Sequence, residues 1–156
     1  MRTLPIAAVA LAALLAAPLP AHAQAPPAAP APAAAPAART PSPPGAEVYI
    51  LSPKNGAKVS NPVVVRFGLK GMGVAPAGVK FENTGHHHLL IDTAPPKDMS
   101  VPLPATDNIK HFGKGQTETS LTLTPGKHTL QLLLGDQNHI PHDPPVMSKK
   151  ITITVE

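Results

Sequence analysis

The sequence contains no cysteine and no tryptophan, and only one tyrosine and three phenylalanines among its 156 residues. The absence of cysteine excludes a disulfide framework, thiolate metal sites and a cysteine nucleophile. Few aromatic side chains are available to stack on bases, and the 13 Lys and Arg are scattered among 9 Asp and Glu. We therefore expect no nucleic-acid binding, although the pI is about 9.6.

The usual sequence signatures of an enzyme are also missing. There is no Gly-x-Ser-x-Gly elbow, no phosphate-binding loop and no His-Glu-x-x-His helix. Metal-assisted chemistry stays open if a bound ion has a free coordination position. An enzyme is therefore the third hypothesis, after two non-enzymatic ones, and we expect no activity.

Long apolar runs are confined to the first residues. Residues 1–23 carry a positive charge at Arg2, an apolar run over residues 6–17 and the small-residue site Ala21-His22-Ala23, which predict a cleaved signal peptide. The run is too short to span a bilayer and no later segment approaches that length, so we expect no membrane span after cleavage. A periplasmic or secreted location follows from this prediction.

Residues 24–45 are almost wholly Ala and Pro. Proline removes backbone donors and alanine offers little apolar surface, so this stretch is predicted to be a disordered, extended tether. Residues 46–156 remain, and these roughly 110 residues are enough for one domain with a modest core.

The domain has the pattern of strands, because β-branched residues alternate with polar ones and Pro and Gly interrupt every run. No helix of normal length is predicted. The expected fold is an all-β, immunoglobulin-like antiparallel β-sandwich of six or seven strands. The predicted strands are 47–52, 63–70, one or two within 79–92, 116–123, 127–134 and 147–155. The turn Thr124-Pro125-Gly126 predicts that the strands on either side of it form an antiparallel hairpin.

Histidine is the abundant residue type whose side chain can bind a metal ion. All but one of the eight histidines lie after residue 85. On a strand, residues two apart point to the same side, so His86 and His88 can offer two nitrogens to one ion. His87 then faces the other way with Leu89 and Ile91. Whether His87 is a ligand or a packing residue stays open.

The predicted topology places several of these histidines at one pole of the sandwich. His111 precedes the first strand of the hairpin, whereas His139 and His142 follow its second strand, on a loop stiffened by proline. If the strand that begins at His86 runs antiparallel to that second strand, as in immunoglobulin-like sheets, its start lies at the same pole. His128 lies at the opposite end.

This convergence favours a metal-binding or metal-handling module. Imidazole suits copper and zinc, so Cu(II) or Zn(II) is the expected ion. The five candidate ligands are His86, His88, His111, His139 and His142. Secondary candidates, as further ligands or as acceptors that orient the rings, are His87, Asp92, Asp136 and Asp143. The alternative is a non-enzymatic accessory module that recognises another envelope protein, with histidines that serve only as structural hydrogen-bonding groups.

Two segments of the chain resemble a family of exported bacterial domains, the domain of unknown function DUF4399. They are residues 85–92 (GHHHLLID) and residues 111–118 (HFGKGQTE). The closing segments 125–130 and 134–142 are similar to that family too. The resemblance covers residues 47–156, and it implies an exported domain without an assigned activity.

Overall fold

A computed structural model of the chain describes residues 38–156. The predicted signal peptide and most of the predicted tether lie outside the described residues. The described part is all-β. It has no helix with the length and apolar character needed to cross a bilayer.

The strands of residues 38–156 form two sheets, which confirms the predicted all-β sandwich. In chain order they are β1 (Glu47–Ser52), β2 (Lys58–Val59), β3 (Val63–Lys70), β4 (Gly73–Val74), β5 (Thr84–Ile91), β6 (Ile109–His111), β7 (Glu118–Leu121), β8 (Gly126–Gly135) and β9 (Ile151–Val155). One sheet has the order β1-β3-β7, and the other has the order β2-β9-β8-β5-β4 with β6 also paired to β5. The very short strands β2, β4 and β6 account for the difference from the six or seven strands predicted.

The main core lies between the two sheets. Val63, Val65 and Phe67 of β3 are buried on the face that alternation assigns to the core. They pack with alternate residues of β5 and β8 from the opposite sheet, including Leu89 and Leu132. His87 lies on this same face of β5, as predicted, with its ring centroid 5.1 Å from that of Phe67.

A second apolar cluster covers the outer face of the larger sheet. Leu90 of β5 and Leu133 of β8 pack there against Leu103 and Ile109. Because a layer of chain lies over this face, β5 is buried on both sides from its second residue onward. His86 and His88 share the outer face with Leu90, so the same layer makes them buried rather than solvent-exposed.

The predicted hairpin of strands 116–123 and 127–134 is wrong. These segments belong to different sheets, since β7 pairs antiparallel with β3 whereas β8 pairs with β5 and β9. The end of β7 is tied to the smaller sheet by the Asn61 side chain, which accepts a hydrogen bond from the Leu123 amide at 3.0 Å. A three-residue turn permits either a hairpin within one sheet or a connection between two sheets. The long-range pairings of β7 with β3 and of β8 with β5 and β9 decide for the connection between sheets.

Several other predicted strand boundaries and pairings agree with the structure. The strands 47–52 and 63–70 match β1 and β3, and the predicted antiparallel pairing of the His86 strand with β8 is confirmed. Residues 79–92 contain a single strand, β5, because residues 79–81 are irregular and residues 82–83 form a turn that ends at Asn83 with φ 53°. The predicted strand 147–155 is shorter at its start, where β9 begins at Ile151.

The described chain makes contacts before the predicted domain boundary at residue 46. Residues 39–42, which we call the strap, lie beside the loop 136–144 that follows β8. The amide of Ser42 donates to the carbonyl of Asp143 at 3.0 Å, and the amide of Asp143 donates to the carbonyl of Thr40 at 2.9 Å. The last residues of the predicted tether therefore pack on the domain.

Candidate metal centre

Strand β5 places His86 and His88 side by side on its outer face. Their ring centroids are 4.8 Å apart, and both residues are almost completely buried. Gly135 of β8 lies opposite His86 in the register. A side chain at that position would place its Cβ 2.8 Å from Cε1 of His88, so glycine leaves the room that this ring occupies.

The short strand β6 brings in His111. The antiparallel register sets His111 directly opposite His88, and their rings stack with centroids 5.1 Å apart. The His111 ring also lies 4.9 Å from that of His86. It packs closely over Gly113, where any Cβ would collide with it. Unlike His86 and His88, His111 is exposed.

The loop after β8 supplies His139. Its ring centroid lies 4.6 Å from that of His111 and 5.0 Å from that of His86. Nδ1 of His139 is 3.0 Å from Nε2 of His86, so one of these two nitrogens donates a hydrogen bond to the other. His139 is half-buried.

These four residues, which we call the histidine cluster, could hold a metal ion. One ring nitrogen from each of His86, His88, His111 and His139 lies within 4.8 Å of the others. Zinc binds imidazole nitrogen at about 2.0–2.1 Å, so two nitrogens on one ion are at most about 4.2 Å apart. In the tetrahedral arrangement that zinc prefers, the nitrogens lie about 3.4 Å apart, so the most widely separated pair would need to approach by up to about 1.4 Å around an ion.

Three buried nitrogens of the histidine cluster lack hydrogen-bond partners. Both ring nitrogens of His88 and Nδ1 of His86 are buried without one. Buried polar atoms are nearly always partnered, because an unmade hydrogen bond carries the full desolvation penalty. A cation among the four rings would satisfy nitrogens that the protein alone does not.

Burial also prepares the histidine cluster electrostatically. Burial, followed by the nearby His111 and His139, lowers the pKa of His86 from 6.5 to about 4. Burial and the neighbouring rings lower the pKa of His88 to about 3. The pKa of His111 is also lowered, by burial and then by His139. At neutral pH these rings are neutral, which is the protonation state that a metal ligand requires.

Two of the other predicted histidines lie apart from the histidine cluster. His142 is fully buried, and its Nε2 is 3.2 Å from the carbonyl oxygen of Thr84. Burial is the main cause of its lowered pKa. His87 faces the core on the opposite side of β5, and both of its ring nitrogens lack partners. Burial lowers the pKa of His87 to about 4.

The three predicted carboxylates also lie outside the group of four ligand atoms. Asp92 pairs with His128, whose Nδ1 is 2.7 Å from its Oδ2. Asp143 pairs with Arg39 at 3.1 Å. Asp136 is buried and accepts hydrogen bonds from the backbone of the loop that carries His139.

The sequence pattern did not reveal how His111 reaches the cluster. Strand β6 has three residues, Ile109–His111, and no turn motif marks it as a neighbour of β5. The alternation of buried Ile109 with more exposed Lys110 is its only local signal. Asn108, just before β6, also connects the two strands, because its side-chain amide donates a hydrogen bond to the carbonyl of Ile91 in β5 at 2.9 Å.

Comparison with known proteins identifies a family. A family model described as a domain of unknown function (DUF4399) matches residues 65–156, a range that includes the whole histidine cluster. No curated protein and no solved structure matches the chain.

Proposed function

The chain belongs to the DUF4399 family, and from the geometry of its histidine cluster we propose that it binds one Cu(II) or Zn(II) ion. The ligands would be His86, His88, His111 and His139. The proposed role is to bind and hand on metal in the cell envelope, as the exported character of the sequence suggests.

One observation carries this proposal. Two adjacent buried imidazoles have unpartnered nitrogens, and rings from two other chain segments meet them within 4.8 Å. The large majority of buried side-chain polar atoms have a hydrogen-bond partner in protein or ordered water. Here a cation is the simplest partner for the unmet nitrogens.

The type of ligand favours copper or zinc. Four imidazoles and no thiolate form an all-nitrogen set of intermediate softness, which suits Cu(II) and Zn(II) and disfavours iron-sulfur clusters. The hard cations Mg²⁺ and Ca²⁺ prefer oxygen ligands, which this cluster does not contain.

The unequal burial of the four ligands supports transfer of the metal ion to another molecule rather than its permanent storage. His86 and His88 are inside the domain, whereas His111 is exposed and His139 is half-buried. An ion would therefore enter and leave on the side of His111. Ligand exchange with another metal-binding molecule needs such an accessible side.

A second function has one observation in its favour. His86 and His139 already form a hydrogen bond of 3.0 Å without an ion. In this alternative the cluster is structural, and the domain acts as an accessory module that binds another envelope protein.

Titration of the protein with Cu(II) and Zn(II) tests the proposal. The chain is produced without a polyhistidine tag, and affinity is measured by competition with a chromophoric chelator. We expect one ion per chain. His86→Ala/His88→Ala should weaken binding by more than the roughly 10- to 100-fold that outer partners of metal ligands cost.

The matched control is His128→Ala, which removes a histidine from the opposite end of the same sheet and should leave the affinity unchanged. Failure of the unaltered protein to bind either ion stoichiometrically would favour the accessory-module alternative. Equal losses in the double variant and in the His128 variant would also contradict the proposed site.

A further inference from the structure

The strap is fastened to the chain that follows His139. The Arg39 guanidinium donates from Nε to the carbonyl of Pro141 at 2.9 Å and from Nη1 to a carboxylate oxygen of Asp143 at 3.1 Å. Its Nη2 donates to the carbonyl of His142. Three consecutive residues of the loop are thus held by one side chain.

Asp136 connects the strap to the backbone on both sides of His139. Its Oδ1 accepts hydrogen bonds from the amides of Asn138 at 2.9 Å and Ile140 at 3.0 Å. Its Oδ2 accepts a hydrogen bond of 2.6 Å from the Thr40 hydroxyl. Asp136 is only 3% exposed, so water cannot easily replace Thr40 as the partner of this oxygen.

His139 needs this support because of its backbone conformation. Its φ is +66°, in the left-handed region that non-glycine residues rarely adopt. The loop closes around it with two backbone hydrogen bonds, from the amide of His139 to the carbonyl of Asp136 at 2.9 Å and from the amide of Asp136 to the carbonyl of Ile140 at 2.8 Å. The Asp136 carboxylate completes the same turn.

We propose that Thr40 and Asp136 are positioning residues for the fourth metal ligand. The Thr40 hydroxyl fixes the Asp136 carboxylate, which in turn holds His139 with Nδ1 beside Nε2 of His86. The end of the tether therefore sets the affinity of the metal site, although the hydrogen bonds of the strap go to the loop and not to the histidine cluster. This inference rests on the proposed function.

The charge of Asp136 should also strengthen metal binding. Its carboxylate is close enough to His86 to favour positive charge there, which opposes the lowering of the His86 pKa by burial. A buried carboxylate near the histidine cluster favours a bound cation. Thr40 stabilises that charge with a hydrogen bond, so its loss would weaken the electrostatic support as well as the geometry.

A set of variants at Thr40 tests the inference. Thr40→Val keeps the shape of the side chain but removes the donor, whereas Thr40→Ser keeps the donor. We expect Thr40→Val to lower the affinity for Zn(II) about 10-fold, the lower end of the range for outer partners of metal ligands, and Thr40→Ser to restore it. The matched control is Thr152→Val on β9, where the side chain is exposed.

The same substitution in a His139→Ala background separates positioning from general stability. If Thr40 acts through His139, Thr40→Val should have almost no further effect there. An equal loss in both backgrounds, or no loss in the unaltered background, would overturn the inference while leaving the proposed metal site intact.

Hydrogen exchange provides a readout that does not require an ion. Thr40→Val should speed the exchange of the Asn138 and Ile140 amides, whose acceptor is the Asp136 carboxylate, and leave the amides of the β5–β8 pairing unchanged. Unchanged exchange at both loop amides would refute the positioning role. Absence of metal binding by the unaltered protein would instead refute the proposed function.

Discussion

The two ends of the β5–β8 strand pair both carry histidine, but the environments are opposite. At one end, His86 and His88 are buried, and three of their four ring nitrogens have no partner. At the other end, His128 has its Nδ1 2.7 Å from Asp92 and its Nε2 2.8 Å from the carbonyl of Thr124. Both partners of His128 are acceptors, so both of its nitrogens donate.

The pKa values follow this difference. Burial lowers those of His86 and His88 to about 4 and about 3. The hydrogen bond to Asp92, with the one to Thr124, raises the pKa of His128. A histidine with two acceptors is stabilised in its protonated form, whereas neutral rings with unpartnered nitrogens are what the proposed metal site requires. His87 is also neutral and without partners but faces the core, so position matters as well as partners.

The difference between the two ends should have its largest effect on the unfolding free energy in acid. Three buried histidines, His86, His87 and His88, have pKa values of about 4, 4 and 3 in the folded protein and 6.5 in the unfolded chain. Below pH 6.5 the unfolded chain therefore binds more protons than the folded protein. The metal-free protein should lose several kcal/mol of unfolding free energy between pH 6.5 and pH 4, on the order of 2–3 kcal/mol for each of the three groups. Urea unfolding across this range measures the loss.

The control for that loss is His87→Leu, which removes one of the three titrating groups but no proposed ligand. Its stability should fall less steeply with acidification than that of the unaltered protein. The His128 end responds in the opposite sense, because a raised pKa contributes stability that is complete below pH 6.5 and disappears as the pH rises through the folded value. A stability that is flat from pH 6.5 to pH 4 would contradict the burial described for β5.

The gain in unfolding free energy from a bound ion should depend only on the end of the strand pair that carries His86 and His88. At a free ion concentration about 100 times Kd, the unfolding free energy should rise by about 2.7 kcal/mol. His86→Ala/His88→Ala should abolish this gain, whereas His128→Ala should retain it. Thermal unfolding with and without Zn(II) measures the gain, and an equal gain in the double variant would place the ion elsewhere.

Removal of the partnered histidine should have a smaller effect. His128→Ala takes away the hydrogen bonds of the ring to the partly exposed Asp92 carboxylate and to the Thr124 carbonyl, and Asp92 keeps its bond of 2.7 Å from the Thr129 amide. We expect a loss of about 1 kcal/mol in unfolding free energy near pH 6. The loss should shrink at higher pH, as His128 of the unaltered protein deprotonates. A difference that grows with pH would mean that this ring is neutral when folded.

The smallest predicted effect concerns the exposed ligand. Gly113→Ala introduces a methyl group that collides with the His111 ring, and the ring can move because it lies at the surface. Affinity for Zn(II) should fall by up to about 10-fold while the unfolding free energy changes by less than about 1 kcal/mol. A large loss of stability with unchanged affinity would show that the His111 ring does not contribute to binding.

Local periodicity predicted the parts of the fold that depend on alternation. It assigned β1 and β3 and separated His87 from His86 and His88, because side chains on a strand alternate between faces. It failed at the hairpin, where strands adjacent in sequence pair with different sheets. Turn chemistry at residues 124–126 is compatible with both outcomes, and only pairing with β3 and β5 decides between them.

The convergence of His111 with His88 was expected, but for a reason that proved wrong. It comes from the pairing of β6 with β5, not from the predicted hairpin. His139 and His142 were treated together, yet the positive φ of His139 separates them, and only His139 joins the group of four. Backbone conformation of this kind depends on Asp136 within the loop and on Thr40, which contacts Asp136 from a distant position in the chain.

X-ray absorption spectroscopy of the metal-loaded protein tests the central claim most directly. The account predicts a single ion with three or four imidazole nitrogens at about 2.0–2.1 Å and a loss of that imidazole scattering in His86→Ala/His88→Ala. A first shell made mainly of oxygen, or one that is unchanged in the double variant, would contradict it.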